Sequence, residues 1–200
     1  MGGTFNPIHY GHLVAAEAAR DAFNLDQVIF IPSGQPPHKS GSLVADPEHR
    51  YLMTFLAIVS NQHFEISRVE IDRQGPSYTS DTLAHFRAVD RDVTWYFITG
   101  ADAILDIVTW HYPDAIFQRA ELIAASRPGY SLKKIEALKQ QLGAERVARI
   151  HPLEVPALAI SSSQIRERLQ QGLSIKYLVP EAVEHYIAKN RVYAGLGFGA

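Results

Sequence analysis

The stretch Gly2-Gly3-Thr4-Phe5-Asn6-Pro7-Ile8-His9-Tyr10-Gly11-His12 opens the chain and decides its fold. Its paired glycines let the backbone approach a ligand closely, because glycine has no Cβ and tolerates positive φ. Pro7 fixes φ and stiffens the turn. The apolar periodicity that follows predicts a helix with His9 and His12 in its first turn, where unpaired N–H groups and the helix dipole attract anions. The stretch therefore predicts a cradle for a polyphosphate.

Each feature of this stretch has a plainer interpretation when taken alone. A Gly-Gly pair near a chain end is as often a flexible terminus, and two histidines three residues apart can bind a metal ion. The chain has no cysteine, and no third ligand lies nearby in sequence, so a zinc site is disfavoured. The combination of glycine pair, helix start and two imidazoles favours phosphate binding.

The composition favours a single soluble domain over residues 1–200. With 46% hydrophobic residues the chain can bury one core, and a net charge of −2 provides no strongly basic surface for general nucleic-acid binding. The absence of cysteine excludes disulfides and thiol catalysis. No run approaches the ~20 apolar residues that cross a bilayer, and no signal peptide precedes the first motif. We expect a cytoplasmic protein without nucleic-acid or membrane partners, and homo-oligomer formation stays open.

Strand-like and helix-like segments alternate along the chain. The pattern predicts strands at 27–32, 64–71, 93–99, 120–125 and 147–151, and helices at 47–60, 79–89 and 132–142. Such alternation predicts an α/β fold with a Rossmann-like, doubly wound parallel sheet that binds ligands at the carboxyl ends of its strands.

The start of the chain is the exception to this pattern. Only Met1 precedes Gly2, whereas a phosphate-binding glycine loop in such folds follows a central strand. We therefore expect that the sheet lacks most of its first strand, either because the start is assigned too late or because the protein is made in this form. In the second case we expect weak stability and a poorly held loop.

A second anion-binding signal lies at Ile160-Ser161-Ser162-Ser163-Gln164-Ile165-Arg166-Glu167-Arg168. Ser161 and Gln164 fit a capping box, and Ser162 could serve as the cap instead, so a helix is predicted to begin here. Arg166 suits a phosphate, because its planar guanidinium matches two oxygens and stays charged. Taken alone, the stretch also fits an ordinary capped helix with a solvated arginine.

Two further segments carry candidate binding residues. Pro36-Pro37-His38-Lys39 predicts a stiff loop in which Lys39 offers a mobile charge for phosphate, although such loops are common surface structure. Trp110-His111-Tyr112 follows the segment predicted as the strongest strand, and a flat indole can stack on an aromatic heterocycle. Packing in the core is the alternative for these aromatic residues.

These motifs together resemble the nucleotidyltransferase superfamily, and within it the family of bacterial nicotinate mononucleotide adenylyltransferases. The resemblance covers nearly the whole chain except its start, since Tyr177-Leu178-Val179-Pro180 and Tyr186-Ile187 also fit the family. It implies attack by the 5′-phosphate of nicotinate mononucleotide on the α-phosphate of ATP, which gives deamido-NAD and pyrophosphate in NAD biosynthesis. It also implies Mg²⁺, bound mainly through the ATP phosphates.

The resemblance implies a role for each matching residue. Residues implied in catalysis by neutralising phosphate charge are His9, His12, Lys39 and Arg166. Residues implied in ATP binding are Gly2, Gly3, Thr4, Phe5, His9, Gly11, His12, Gly100, Asp102, Arg127, Ser161, Ser162, Ser163 and Arg166. Residues implied in binding nicotinate mononucleotide are Asn6, Lys39, Tyr78, Thr79, Asp102, Trp110 and Tyr112, with His38 as an accessory.

The implied chemistry asks for alignment and charge neutralisation, because the nucleophile is a phosphate that is already ionised. Adjacent phosphates would favour cationic imidazoles at His9 and His12. Two alternatives stay open at this point. One is another adenylyltransferase, of the phosphopantetheine type, and the other is a non-catalytic nucleotide-binding protein inactivated by the missing strand.

Overall fold

A computed structural model describes residues 1–36, 44–127, 133–156 and 158–194 of the chain. Its helices are α1 Tyr10–Phe23, α2 Pro47–Ile58, α3 Val69–Asp72, α4 Thr79–Val89, α5 Ala101–Leu105, α6 Pro113–Arg119, α7 Lys133–Ala137, α8 Lys139–Leu142, α9 Ala144–Val147, α10 Ser162–Gln170 and α11 Glu181–Asn190, with a 3₁₀ turn at Ile107–Thr109. Its strands are β1 Gly2–Gly3, β2 Val28–Pro32, β3 Phe64–Ile66, β4 Tyr96–Gly100, β5 Glu121–Ser126 and β6 Ile150–Glu154.

The strands form two three-stranded sheets in which every neighbouring pair is parallel, ordered β1-β2-β3 and β4-β5-β6. The sheets meet where β1 lies against β4, since a Cβ added to Gly2 would come within 3.1 Å of the Phe97 ring. With helices between the strands, this is the predicted Rossmann-like α/β fold. Its parallel order brings the carboxyl ends of the strands to one edge.

Strand β1 has only two residues, yet it is tied firmly to β2. The register pairs Gly2 with Ile31 and Gly3 with Pro32. The main chain of Met1 extends the ladder, because its carbonyl oxygen accepts from Ile31 N at 2.9 Å. The glycine loop therefore leaves the sheet from a hydrogen-bonded position.

Two apolar clusters fill the space around the sheets. One surrounds β2 and packs it against α1, α2, α10 and α11, with Phe30, Met53 and Ile165 fully buried. The other lies under α5 and α6, with Ile104, Ile116 and Leu122 fully buried. Each such side chain stabilises the fold by roughly 1.5–3 kcal/mol relative to exposure. No helix within the described ranges combines the length and apolar character needed to cross a membrane.

The predicted elements are confirmed in most places. The helix at 79–89 matches α4, and the segments 27–32, 47–60 and 120–125 match β2, α2 and β5 within two residues at each end. The predicted strand at 93–99 is shorter, because β4 begins at Tyr96, where its pairing with Glu121 begins.

Three element predictions are wrong. Strand 64–71 ends at Ile66, and the chain turns into α3, whose first N–H, that of Val69, donates to Ser67 Oγ at 3.3 Å. Strand β6 begins only at Ile150, because Val147 still belongs to α9. The helix predicted at 132–142 is two short helices, α7 and α8. The strand prediction at 64–71 fails because the alternating pattern continues beyond Ile66, the last residue that pairs with β2.

Candidate functional site

The glycine loop leaves β1 through a tightly folded turn. Phe5 is buried and takes a φ of +46°, in the left-handed region that side chains seldom adopt. Its ring folds back over Gly3, so a Cβ at Gly3 would lie 2.9 Å from the ring. A larger residue at position 3 would therefore push the loop off the strand. The second glycine of the motif is required for close packing within the loop itself.

Helix α1 begins directly after this loop, and the two histidines cap it. His9 is the N-cap residue and His12 is the third residue of the helix. The main-chain N–H of His9 donates to Nδ1 of His12 at 3.2 Å, and the two rings stack with centroids 3.7 Å apart. Because Nδ1 of His12 accepts, the proton of a neutral His12 is on Nε2, where it can be donated to an anion.

His9 is almost completely buried, with 6% of its surface exposed. Burial, helped by the positive charge of Arg127, lowers the pKa of His9 from 6.5 to about 4. This imidazole is therefore neutral at pH 7 in the folded protein, and the expectation that adjacent phosphates favour its cationic form stays a prediction. Within the described residues its Nδ1 is buried and finds no partner, while the ring packs 3.0 Å from the position of a Cβ on Gly11. Gly11 is needed to make room for it.

Helix α10 places the second motif directly on the glycine loop. Ser161 is the N-cap, with its Oγ accepting from Gln164 N at 3.2 Å, so the capping prediction is confirmed with Ser161 as the cap. Ser162 Oγ donates to the Pro7 carbonyl oxygen at 2.8 Å. Arg166 Nη1 donates to the Asn6 carbonyl oxygen at 2.8 Å, and Nη2 to Ser163 Oγ at 3.3 Å. The two motifs thus form one surface, joined by residues that are 155 and 160 positions apart in sequence.

The carboxyl ends of β4 and β5 complete this edge of the sheet. Gly100 ends β4 and is the N-cap of α5, and Asp102 is exposed in the first turn of that helix. Arg127 directly follows β5 and is close enough to His9 for its charge to act on that imidazole. This edge therefore brings together helix N-termini and the guanidinium groups of Arg127 and Arg166, which is an arrangement suited to binding an anion.

A cavity of about 390 Å³ opens beside α5. It is lined by both polar and aromatic groups: Ser77, Tyr78, Thr79, Ala103, Asp106, Thr109, Trp110, His111 and Ile116. Its size suits a small ring system. Three residues predicted for the substrate, Tyr78, Thr79 and Trp110, line this cavity, whereas Asn6, Asp102 and Tyr112 do not.

An aromatic stack closes one side of the cavity. The ring of His111 lies parallel to that of Tyr78, with centroids 4.1 Å apart, and also contacts Tyr112 at 4.1 Å. Tyr112 is largely exposed and takes a φ of +49° as the N-cap of α6. His111 belongs to the motif Trp110-His111-Tyr112, but no role was predicted for it from the sequence. Its position between two predicted binding residues is the signal that could have indicated one.

A buried polar network holds the wall that carries Tyr78 and Thr79. Thr82 Oγ1 donates to Glu70 Oε1 at 2.6 Å and accepts from Arg73 Nη2 at 3.2 Å. Burial raises the pKa of Glu70 above its ordinary value. Sequence reasoning missed Glu70, because it assigned residues 64–71 to a strand and therefore treated this residue as one position of an alternating pattern.

One predicted substrate residue, Asn6, lies away from the cavity, and two other predicted site residues fall outside the described ranges. Asn6 is buried, and its Oδ1 accepts from Ala45 N at 3.1 Å and from Tyr193 Oη at 3.0 Å, so this oxygen is engaged inside the protein. Lys39 and His38 lie outside the described residues. The described ranges contain no group of three or more His, Asp or Glu side chains placed to hold a metal ion.

A profile described as "Cytidylyltransferase-like" matches residues 1–168 of the chain. A "Probable nicotinate-nucleotide adenylyltransferase" of Moorella thermoacetica is 57% identical over 194 residues, which cover 96% of this chain and 89% of the relative. A protein of the same name from Mycobacterium tuberculosis is 49% identical over 197 residues, covering 98% and 90% of the two chains.

The fold also resembles solved structures. A nicotinic acid mononucleotide adenylyltransferase of Plasmodium falciparum, solved in complex with NaAD, superposes with a TM-score of 0.75 at 20% identity, covering 96% of this chain and 94% of that one. A structure described as that of a "Putative Nicotinate-nucleotide Adenylyltransferase" from Vibrio parahaemolyticus superposes with a TM-score of 0.67 at 16% identity, covering 97% of this chain and 93% of that one. At these identities the likeness concerns the fold.

Proposed function

Because this chain belongs to the cytidylyltransferase-like family, among the nicotinate-nucleotide adenylyltransferases, we propose that it transfers the adenylyl group of ATP to nicotinate mononucleotide. The observation that carries the proposal is the docking of α10 on the glycine loop through Arg166 and the Asn6 carbonyl oxygen. It gathers the two motifs predicted to bind phosphate at the carboxyl edge of the sheet, beside a cavity with room for a pyridine ring.

The reaction exchanges one phosphoanhydride bond for another. A 5′-phosphate oxygen of the mononucleotide forms a bond to the α-phosphorus of ATP, and the bond from that phosphorus to the bridging oxygen breaks. Pyrophosphate leaves with the electron pair. The nucleophile is ionised at neutral pH, so the protein needs no strong general base. Its work is to align the two phosphates and to neutralise charge that develops on the oxygens.

The residues around the glycine loop suit the triphosphate. Nε2 of His12 would donate to a phosphate oxygen, since Nδ1 is already an acceptor. Arg166 and Ser163 at the start of α10 would contact the β- and γ-phosphates, and Arg127 adds positive charge. In this scheme His9 acts as a neutral group that stacks on His12 and fixes its orientation.

The cavity suits the acceptor. The indole of Trp110 would stack on the pyridine ring. Thr79 is the first residue of α4, so its N–H has no partner within the helix and can receive the nicotinate carboxylate. The buried Glu70–Thr82 bond would keep that turn in place.

Mg²⁺ would be held by the ATP phosphates and water, because the side chains gathered at the loop are mostly cationic or neutral, and it would neutralise charge on the phosphates. Both substrates are nucleotides of the cell interior, and we accordingly place the reaction in the cytoplasm.

The test is pyrophosphate release by purified protein with ATP, Mg²⁺ and nicotinate mononucleotide, with nicotinamide mononucleotide and phosphopantetheine as parallel acceptors. We expect release with nicotinate mononucleotide well above the other two. Release with phosphopantetheine alone would contradict the proposal, as would ATP binding without release for any acceptor.

A further inference from the structure

Arg50 is the largest fully buried side chain among the described residues, and it sits in the first turn of α2. Within the described ranges its guanidinium forms no ion pair, although the charges of Asp46 and Glu70 are near enough to act on it. Burying a charge without a counter-ion is costly, and proteins tolerate it only where hydrogen bonds replace the lost water. A side chain of this kind needs an explanation beyond filling space.

The guanidinium instead donates to three main-chain carbonyl oxygens. Nε donates to Ala45 at 2.9 Å, Nη1 to Thr4 at 2.9 Å and Nη2 to Gly34 at 3.1 Å. These acceptors belong to three separate segments: the glycine loop, the turn after β2 and the segment that leads into α2. The planar fork of arginine can reach all three at once, which a lysine ammonium cannot do in the same geometry.

One of the three segments is fixed independently of Arg50. Gly34 packs so closely on α3 that an added Cβ would collide with the Glu70 carbonyl oxygen. Ala45 is joined to the glycine loop a second time, since its N–H donates to Asn6 Oδ1. The bond to Thr4 therefore ties the glycine loop to the turn after β2 and strengthens its link to the segment that leads into α2. Thr4 immediately precedes Phe5, whose left-handed backbone sets the direction of the loop.

We propose that Arg50 is a positioning residue for adenylyl transfer, which acts by holding the Thr4 carbonyl oxygen and thereby aiming the glycine loop at the ATP phosphates. This inference rests on the proposed function. Arg50 has no contact with the acceptor cavity, so it controls the ATP side of the reaction and not the binding of nicotinate mononucleotide. A residue with a structural role alone would change the stability of the protein. Its loss would not affect the kinetic parameters for ATP while sparing KM for nicotinate mononucleotide.

The test compares Arg50→Lys and Arg50→Ala with the wild-type protein, at a temperature where circular dichroism shows each to be folded. We expect kcat to fall at least tenfold in both variants and KM for ATP to rise. KM for nicotinate mononucleotide should stay within twofold. Millimolar methylguanidinium, which restores the fork, should recover at least a third of the lost kcat of Arg50→Ala, whereas methylammonium should not.

Arg87→Ala is the matched control. Arg87 also donates to two carbonyl oxygens, of Arg91 and Val93, but it is exposed and lies at the far end of α4. Its loss should leave kcat unchanged and insensitive to methylguanidinium. A kcat within twofold of wild type in folded Arg50→Lys would overturn the inference. If Arg50→Ala folds, equal recovery by the two cations would also overturn it; if it does not fold, Arg50→Lys alone decides.

Measurements on the wild-type protein distinguish failure of the proposed function from failure of the inference about Arg50. If wild type releases no pyrophosphate, ATP affinity measured by calorimetry replaces kcat as the readout. ATP should then bind at least fivefold more weakly to Arg50→Lys than to wild type. Equal affinity would overturn the role of Arg50 whatever the reaction is.

Discussion

The main-chain N–H of His9 donates to Nδ1 of His12, and the two imidazole rings stack 3.7 Å apart at the start of α1. This arrangement gives different roles to His9 and His12, which look equivalent in the sequence. His9 is buried and neutral, whereas His12 has a defined tautomer with its proton on Nε2. One ring supports the other, and only His12 has its donor directed by a hydrogen bond.

His12 can therefore be tested with two amides that each mimic one ring nitrogen. His12→Asn keeps an acceptor near Nδ1 and loses the donor at Nε2, so we expect kcat to fall on the order of a hundredfold. His12→Gln places an N–H₂ group near Nε2 and should retain more activity than His12→Asn. Steady-state kinetics with ATP and nicotinate mononucleotide measures both. Equal losses in the two variants would argue against donation from Nε2.

The depressed pKa of His9 makes stability depend on pH. The folded-state pKa is about 4 and the unfolded value is 6.5, so below pH 6.5 the unfolded chain binds a proton that the folded protein does not. The contribution of His9 is therefore complete above pH 6.5 and is lost as the pH falls towards 4. Between pH 7.5 and pH 5 the loss amounts to about 2 kcal/mol of the free energy of unfolding.

Urea unfolding of wild type and His9→Asn at pH 7.5 and pH 5 checks this value. All other titrating groups are shared, so the difference between the two proteins isolates His9. We expect the stability of wild type relative to the variant to fall by about 2 kcal/mol on going to pH 5. A difference that does not change with pH would mean that His9 is not buried as a neutral group.

Tyr193 ties the end of the described chain to the glycine loop. Its buried hydroxyl donates to Asn6 Oδ1 at 3.0 Å. Tyr193→Phe removes that donor but leaves Ala45 N as a partner for the oxygen, so we expect a loss of about 1 kcal/mol in the free energy of unfolding. Tyr186→Phe is the control, because its hydroxyl contacts His49 at a half-buried position and should cost less. Chemical denaturation measures the free energy of unfolding of both variants, and Tyr193→Phe should show the larger loss.

The glycine loop, the histidine-capped helix α1 and the start of α10 could be predicted from the sequence because their signals are local. Glycine, proline and cap residues act on backbone within a few positions. Arg50 could not be predicted as buried. In an amphipathic helix an arginine ordinarily marks the solvent face, and its acceptors at Thr4 and Gly34 are brought to it only by the sheet.

The burial of Glu70 could not be predicted from the local sequence either. Residues 64–71 alternate like a strand, but β3 pairs with β2 only as far as Ile66. Pairing stops there although β2 itself continues to Pro32, and the chain turns into α3, which buries Glu70 beside Thr82. The protonation state of His9 likewise follows from burial and from Arg127, neither of which is a local property.

Trp110 offers the sharpest test of how the two substrates are divided between the loop and the cavity. Its ring lines the cavity and contacts Phe97 edge-on at 6.1 Å. Trp110→Ala should raise KM for nicotinate mononucleotide by roughly tenfold, about 1.4 kcal/mol of lost stacking, while KM for ATP stays within twofold. The control is Trp95→Ala, since Trp95 precedes β4 at the opposite end of the strand and donates to the Asp90 carbonyl oxygen. That variant should lose stability without a change in either KM. If Trp110→Ala weakens ATP and the mononucleotide equally, the cavity does not bind the acceptor selectively, and the division of the site into two compartments is wrong.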